Sequence, residues 1–246
     1  MLPGTGIILT RPIHQAQELA RLIEAAGGRA IIFSALDINP QTLGPADQAK
    51  IDTAEIAIFI SANAVEFGLR YASLPHEIRL AAIGNTTAVA LRQAGYRNII
   101  VPTQGADSEA LLATPALRDV AGKRVAIFRG VGGRETLRDT LRQRGAKVAY
   151  IECYTRRRPD VAPDVVSSLV ARDDIAAIQA SSRETLENFC NMIGDKGVAL
   201  LGHKPLFAPH AAILEGARIL GFSEGILTQF GDEGLLAALE QRFGQQ

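Results

Sequence analysis

The sequence predicts an α/β protein of two similar domains, each an open parallel sheet covered by helices on both faces. Three observations predict it. Short apolar runs alternate with amphipathic stretches along the whole chain, glycines close the amphipathic stretches, and the same order of segments is written twice. Matched positions stand a domain's length apart: Ile7 and Val125 are separated by 118 residues, Asp107 and Asp232 by 125.

Ile7-Ile8-Leu9 reads as a strand leading into a helix whose Ala16, Leu19, Ala20, Leu22 and Ile23 recur at three-to-four spacing. Gly27-Gly28 ends that helix, and Ala30-Ile31-Ile32-Phe33 is the next strand. A βαβ unit of this length implies parallel strands and a right-handed crossover. Asp37-Ile38-Asn39-Pro40 follows as a Pro-marked linker. Ile58-Phe59-Ile60 is a strand, and Ser61-Ala62-Asn63-Ala64 turns it into a helix. Leu80-Ala81-Ala82-Ile83 enters another helix at Gly84-Asn85-Thr86-Thr87, which closes at Gly95. Asp107-Ser108-Glu109 starts a further one.

The second copy begins at Arg124-Val125-Ala126-Ile127-Phe128, with a helix stripe at Leu137 and Leu141, a stop at Gly145 and a strand at Val148-Ala149-Tyr150-Ile151. Arg156-Arg157-Arg158-Pro159-Asp160 reads as the second linker, just after a strand. Ala177-Ile178-Gln179-Ala180-Ser181-Ser182-Arg183 aligns with Ile58 through Ala64. Pro205 through His210, with a helix ending at Gly221, aligns with the segment from Leu80. Asp232-Glu233-Gly234-Leu235-Leu236 aligns with Asp107 through Leu112. The repeats by themselves suggest a domain boundary near residue 120.

Composition narrows the classes of function. Of 246 residues, 47% are hydrophobic and 21% charged, and 26 Lys plus Arg balance 26 Asp plus Glu. That balance gives no bulk attraction to nucleic acid or an acidic membrane. No apolar run approaches the roughly 20 residues that cross a bilayer, and the N-terminus lacks a secretory signal. Cys153 and Cys190 have no CxxC spacing, and His14, His76, His203 and His210 are scattered, so neither a disulfide framework nor a metal site is expected. The expectation is a cytoplasmic, metal-free protein. Nothing reads as a heptad seam, which leaves a monomer as the default.

In open α/β sheets, ligands bind beyond the carboxyl ends of strands, where helix N-termini favour anions. Small or hydroxyl residues recur there: Thr10, Ser61, Asn63, Thr86, Thr87, Ser108, Ser181 and Ser182. Plain helix capping explains any one of them; the set points to a cleft lined with anion-accepting turns. Arg11, Arg129, Arg134 and Arg183 follow strands at the same end, where a guanidinium grips a carboxylate. The loop Arg129-Gly130-Val131-Gly132-Gly133-Arg134-Glu135 suggests dinucleotide binding, with Glu152 as the ribose acid. Glu135, however, stands where the motif needs its third glycine. His210 follows Pro209 at a helix start, as a capping residue, a part-buried ring, a general acid or a hydrogen-bond donor. No nucleophile elbow or carboxylate pair is present.

Taken together, these residues resemble the uroporphyrinogen-III synthase family along nearly the whole chain. The carriers are Ile8-Leu9-Thr10-Arg11-Pro12, Phe59-Ile60-Ser61-Ala62-Asn63-Ala64-Val65 and Ala82-Ile83-Gly84-Asn85-Thr86-Thr87-Ala88. To these are added Asp107-Ser108-Glu109, Arg129-Gly130 with Gly132-Gly133-Arg134, and Tyr154. Ala208-Pro209-His210-Ala211-Ala212 departs from the Gly-x-Thr-Thr-Ala of many members.

The resemblance implies two domains joined by a paired two-strand hinge, one discontinuous (1–36 with 159–246) and one continuous (40–154). It implies a cofactor-independent hydro-lyase that cyclises hydroxymethylbilane, a linear tetrapyrrole with eight carboxylates, with loss of water and inversion of ring D. Holding such a chain asks for positioning more than acid–base power. Tyr154 is then the residue that assists departure of the hydroxyl or orients that ring, or else a hinge tyrosine with a packing role alone. Arg11, Ser61, Ala62, Asn63, Thr86, Ser108, Arg129, Gly130, Ser181, Ser182 and His210 are the substrate-binding positions. Two rivals fit the same residues: a non-catalytic, hinge-closing binder of small polycarboxylates, and a nucleotide-using transferase built on the glycine loop.

Overall fold

The computed structural model describes residues 1–244. The chain opens with β1 (Gly6–Leu9), α1 (Ile13–Ala25) and β2 (Arg29–Ile32), then β3 (Asp37–Pro40) and α2 (Pro45–Asp52). Next come β4 (Ile56–Phe59), α3 (Ala62–Tyr71), β5 (Arg79–Ala82), α4 (Asn85–Gln93) and α5 (Ser108–Leu112). The second half runs β6 (Arg124–Gly130), α6 (Thr136–Gln143), β7 (Lys147–Arg157), α7 (Pro163–Val170), β8 (Ile175–Gln179) and α8 (Arg183–Leu201). It continues with β9 (Leu206–Ala208), α9 (Ala211–Ile219), β10 (Gly225–Leu227) and α10 (Gly231–Phe243). Helix α8 is broken at Gly194, whose φ of 66° and ψ of 177° lie outside helical space.

The chain divides into two compact units: Met1–Asp37 with Arg157–Gln246 (unit 1), and Ile38–Arg156 (unit 2). Unit 1 holds the sheet β10-β9-β8-β1-β2, parallel throughout. The second sheet has the order β3-β7-β6-β4-β5, with β4 to β7 parallel. Each sheet buries both faces, which is why its strands read as continuous apolar runs. In unit 1, Ile8 and Ile178 pack on one face, while Ile7, Leu9 and Ala177 pack on the other with α1 and α10. Unit 2 divides likewise between Phe59, Phe128 and Cys153 on one side and Ile58, Val125 and Ile127 on the other. Each such fully buried Ile is worth about 2–3 kcal/mol as an upper bound.

The helix stops are where turn chemistry requires them. Gly27, Gly95, Gly145 and Gly221 follow α1, α4, α6 and α9 with φ between 85° and 100°, which a side chain would oppose.

Two readings need correction. The Pro-marked linkers are strands: Asp37–Pro40 is β3, and Arg156-Arg157 finish the eleven-residue β7. Pro40 is tolerated because β3 is an edge strand, where a missing N–H costs no ladder bond. The repeat alignment around Ser61 also slips by two. Strand register sets Leu9 against Gln179 and Ile127 against Ile58, so Gln179 is the counterpart of Ile58, and Ser182 that of Ser61.

The repeat itself is real but exchanged between sheets. The βαβ of the first copy (β1, α1, β2) pairs with β8 of the second. The βαβ of the second (β6, α6, β7) pairs with β4 of the first. For this reason a cut near residue 120 would split unit 2.

Candidate functional site

Unit 2 contains a cavity of about 280 Å³ beyond the carboxyl ends of β4, β5 and β6. Ser61 enters it as the N-cap of α3. Its Oγ accepts the Ala64 N–H at 3.0 Å and shares a 3.0 Å hydrogen bond with the Tyr154 hydroxyl. Tyr154 is 4% exposed, and its ring lies where Gly130 would carry a side chain; a Cβ there would stand 2.6 Å from Tyr154 Cε2. Gly130 is therefore fixed by close approach, its φ imposing nothing. Ser108 lines the cavity as the first residue of α5, behind Asp107, whose carboxylate caps the Ala110 N–H at 2.8 Å.

Arg129, 3% exposed, lines the cavity but spends its guanidinium on its own loop. Nε donates to Gly130 O at 3.1 Å, Nη2 to Gly132 O, and Nη1 meets Glu135 at 3.2 Å. The group also lies 4.3 Å over the Tyr150 ring. Tyr150 donates to Glu135 at 2.6 Å, and Arg138 joins the same carboxylate at 2.6 Å. Glu135 is thus held below the usual carboxyl range, first by the Tyr150 hydroxyl and then by the two arginines. Burial, with Glu135 second, pushes Tyr150 up to about 12. Glu135, which breaks the dinucleotide motif, is the residue that anchors the glycine loop.

The other expected positions in unit 2 lie in helix starts outside this lining. Ala62 and Asn63 occupy the first turn of α3, and Thr86 is exposed in α4, whose N-cap is Gly84. Arg134 does line the cavity.

In unit 1, Ser182 caps α8 through a reciprocal box with Thr185, each bond 3.1 Å. Ser181 and Arg11 line a second, smaller cavity. Arg11 Nη1 meets Asp232 Oδ1 at 2.6 Å. His210 occupies the N-cap position of α9 without capping it; the ring is exposed and sits edge-on to Phe230 at 4.7 Å. The capping and part-buried readings of His210 both fail, because the ring turns outward to Phe230. Arg183, on the surface of α8, pairs with Glu187 at 2.8 Å. Cys153 and Cys190 are free and buried; burial pushes their thiols up to about 12 and about 11, which suits core packing and not nucleophiles. Among the described residues no cluster of His, Cys, Asp or Glu could hold a metal, and no helix is long and apolar enough to cross a membrane.

Sequence reasoning passed over Tyr150 and Gln179. Tyr150 hid in an apolar strand. Gln179 offered a signal, a lone amide at the end of Ile-Ala-Ala-Ile-Gln.

With this geometry in view, the sequence comparison decides the family. The family model for uroporphyrinogen-III synthase HemD matches residues 17–237. The chain belongs to the uroporphyrinogen-III synthase family. It is 37% identical to the uroporphyrinogen-III synthase of Escherichia coli over 61% of this chain and 65% of that protein. With the Synechococcus elongatus uroporphyrinogen-III synthase it shares 29% identity over 98% of this chain and 96% of the other. The chain thus spans about two thirds of the enterobacterial relative and nearly all of the cyanobacterial one. Its fold is similar to a mutant uroporphyrinogen III synthase of Thermus thermophilus (TM-score 0.64, 15% identity, 98% and 100% of the two chains). The Helicobacter pylori uroporphyrinogen-III synthetase has the same identity and coverage, with a TM-score of 0.59.

Proposed function

We propose that this uroporphyrinogen-III synthase family member converts hydroxymethylbilane into uroporphyrinogen III, expelling one water, inverting ring D and closing the macrocycle. What carries the reading is the family match across residues 17–237. The chemistry needs no resident cofactor: pyrrole nitrogen electrons expel the hydroxyl, and the protein's task is to hold the chain in the folded conformation that favours inversion over end-to-end closure. The enzyme is then a hydro-lyase. Its buried, unpaired thiols suit the reducing cytoplasm.

Helix starts at Ser61, Ala62, Asn63, Thr86, Ser108, Ser181, Ser182 and His210 hold carboxylates largely through backbone N–H groups. Arg129 contributes by fixing the Gly130–Gly133 loop that presents such groups. Tyr154 orients a pyrrole ring through the hydroxyl it shares with Ser61. Its near-complete burial supports orientation over proton transfer to bulk water.

The test is a coupled assay in which hydroxymethylbilane is generated in situ and the oxidised porphyrins are separated by isomer. Type III is expected to predominate. Formation of type I alone, as without enzyme, would remove the synthase reading and leave a polycarboxylate binder. Tyr154→Phe is expected to slow type III formation about tenfold, one neutral hydrogen bond's worth, with little change in melting temperature; unchanged turnover would take the hydroxyl out of the mechanism.

A further inference from the structure

The cavity of unit 2 is lined by Arg129, Arg134 and Arg156, and by a single acid, Asp107. Arg129 is closed to a ligand: it is 3% exposed, and its three nitrogens go to Gly130 O, Gly132 O and Glu135. Arg134 stands in the opposite condition. It is exposed, and its side chain makes neither an ion pair nor a hydrogen bond within the protein. Its neighbour Glu135 does not neutralise it. That carboxylate is outside the cavity lining and is taken up by Arg129 at 3.2 Å, Arg138 at 2.6 Å and the Tyr150 hydroxyl at 2.6 Å. Asp107 has one oxygen committed to the Ala110 N–H at 2.8 Å.

The backbone accounts for the parting of these neighbours. Gly132 and Gly133 have φ of 76° and 98°, and a Cβ on Gly133 would stand 2.9 Å from Arg129 Nη2. The two glycines turn the chain closely over the buried guanidinium. Arg134 is left bordering the cavity, and Glu135 enters the N-cap position of α6.

Charge then selects the ligand. With Arg129 matched by Glu135, Arg134 and Arg156 outnumber Asp107, so the cavity favours an anion. The hydroxyls of Ser61, Ser108 and Tyr154 share the lining and can donate to it. A cation would meet two arginines, and a neutral group would leave their charge unanswered. A planar carboxylate accepts two parallel N–H bonds from one guanidinium.

We infer that Arg134 is the side chain of this cavity that grips a substrate carboxylate, while Arg129 holds the loop without touching substrate. The inference rests on the reaction proposed above, whose substrate is a polycarboxylate.

The test compares KM and kcat in the coupled assay for the wild type, Arg134→Gln, Arg134→Glu and Arg218→Gln. The last removes a charge of the same sign from the surface of α9, where Arg218 pairs with Glu215 at 2.9 Å. KM is expected to rise about tenfold in Arg134→Gln and further in Arg134→Glu while kcat holds, and to stay put in Arg218→Gln. A loss confined to kcat, an equal rise in Arg218→Gln, or a glutamate no worse than the glutamine would overturn the assignment. If the wild type yields only type I porphyrin, the synthase reading fails separately. The comparison is then made with dissociation constants for uroporphyrin, a cyclic polycarboxylate. Binding about tenfold weaker in Arg134→Gln would keep the site, and equal binding would remove it.

Discussion

Arg11 and Arg129 occupy the same place in the two copies of the repeat, one after β1 and one in β6, 118 positions apart like Ile7 and Val125. Their surroundings set them to different work. Arg129 is sealed in and ties down two carbonyls and Glu135 of its own loop. Arg11 reaches across unit 1 to Asp232 and keeps one nitrogen unspent. Across the strand pair, Ile58 fills space beside Ile127, while Gln179 beside Leu9 presents an oxygen. One architecture thus carries a packed, self-satisfied strand end in unit 2 and a polar, unsatisfied one in unit 1. An unsatisfied buried group is a cost to folding, and unit 1 carries that cost at a strand's carboxyl end where unit 2 does not.

This contrast can be broken by exchanging its terms. Ile58→Gln puts an unpartnered amide into the apolar side of unit 2 and is expected to cost about 3–4 kcal/mol in denaturant unfolding. The opposite exchange, Gln179→Leu, should leave stability unchanged or raise it by up to about 1 kcal/mol; equal losses in the two would erase the distinction. Next in size, Arg129→Met strands two loop carbonyls and is expected to cost about 2–3 kcal/mol. Arg11→Met gives up a partly exposed pair worth about 1 kcal/mol or less. Similar values for the two arginines would show that Arg129 is no better tied than Arg11.

A further effect is one of pH. Tyr150 ionises near pH 10 in an unfolded chain and near 12 in the fold. Its contribution is therefore complete below pH 10 and lost as pH rises toward 12. Between those values the wild type should lose more stability than Tyr150→Phe, read from parallel unfolding curves; coincident slopes would detach Tyr150 from the clamp on Glu135.

Much of this was legible in the sequence, and the misses share a cause. Helix stops at Gly27, Gly95, Gly145 and Gly221 and caps at Ser61 and Ser182 are local devices, so local sequence reveals them. Tyr154 and Gly130 were marked by resemblance, although their mutual contact was not. The β3 and β7 ends were read as linkers because Asp, Asn and Pro speak against strands, and only a neighbouring edge makes a strand of them. The two-residue slip at Ser182 arose because Ala180-Ser181-Ser182 offers two equivalent caps, and pairing with β1 chooses between them. Arg11 and Arg129 look alike in sequence because their partners differ by distance: Glu135 lies six residues from Arg129, Asp232 lies 221 from Arg11.

The exchange of βαβ elements also sets an order of events during synthesis. Thr10 donates its hydroxyl to the Gln179 carbonyl, 169 positions along the chain, and β1 sits between β2 and β8. Strand β1 is made before its neighbour β8 and therefore waits, with Ile7, Ile8 and Leu9 unpaired on that side, until β8 has followed. The continuous stretch Ile38–Arg156 can collapse in the meantime. Unit 2 thus reaches finished structure before β1 does, and β1 is the segment a chaperone would have most reason to shield.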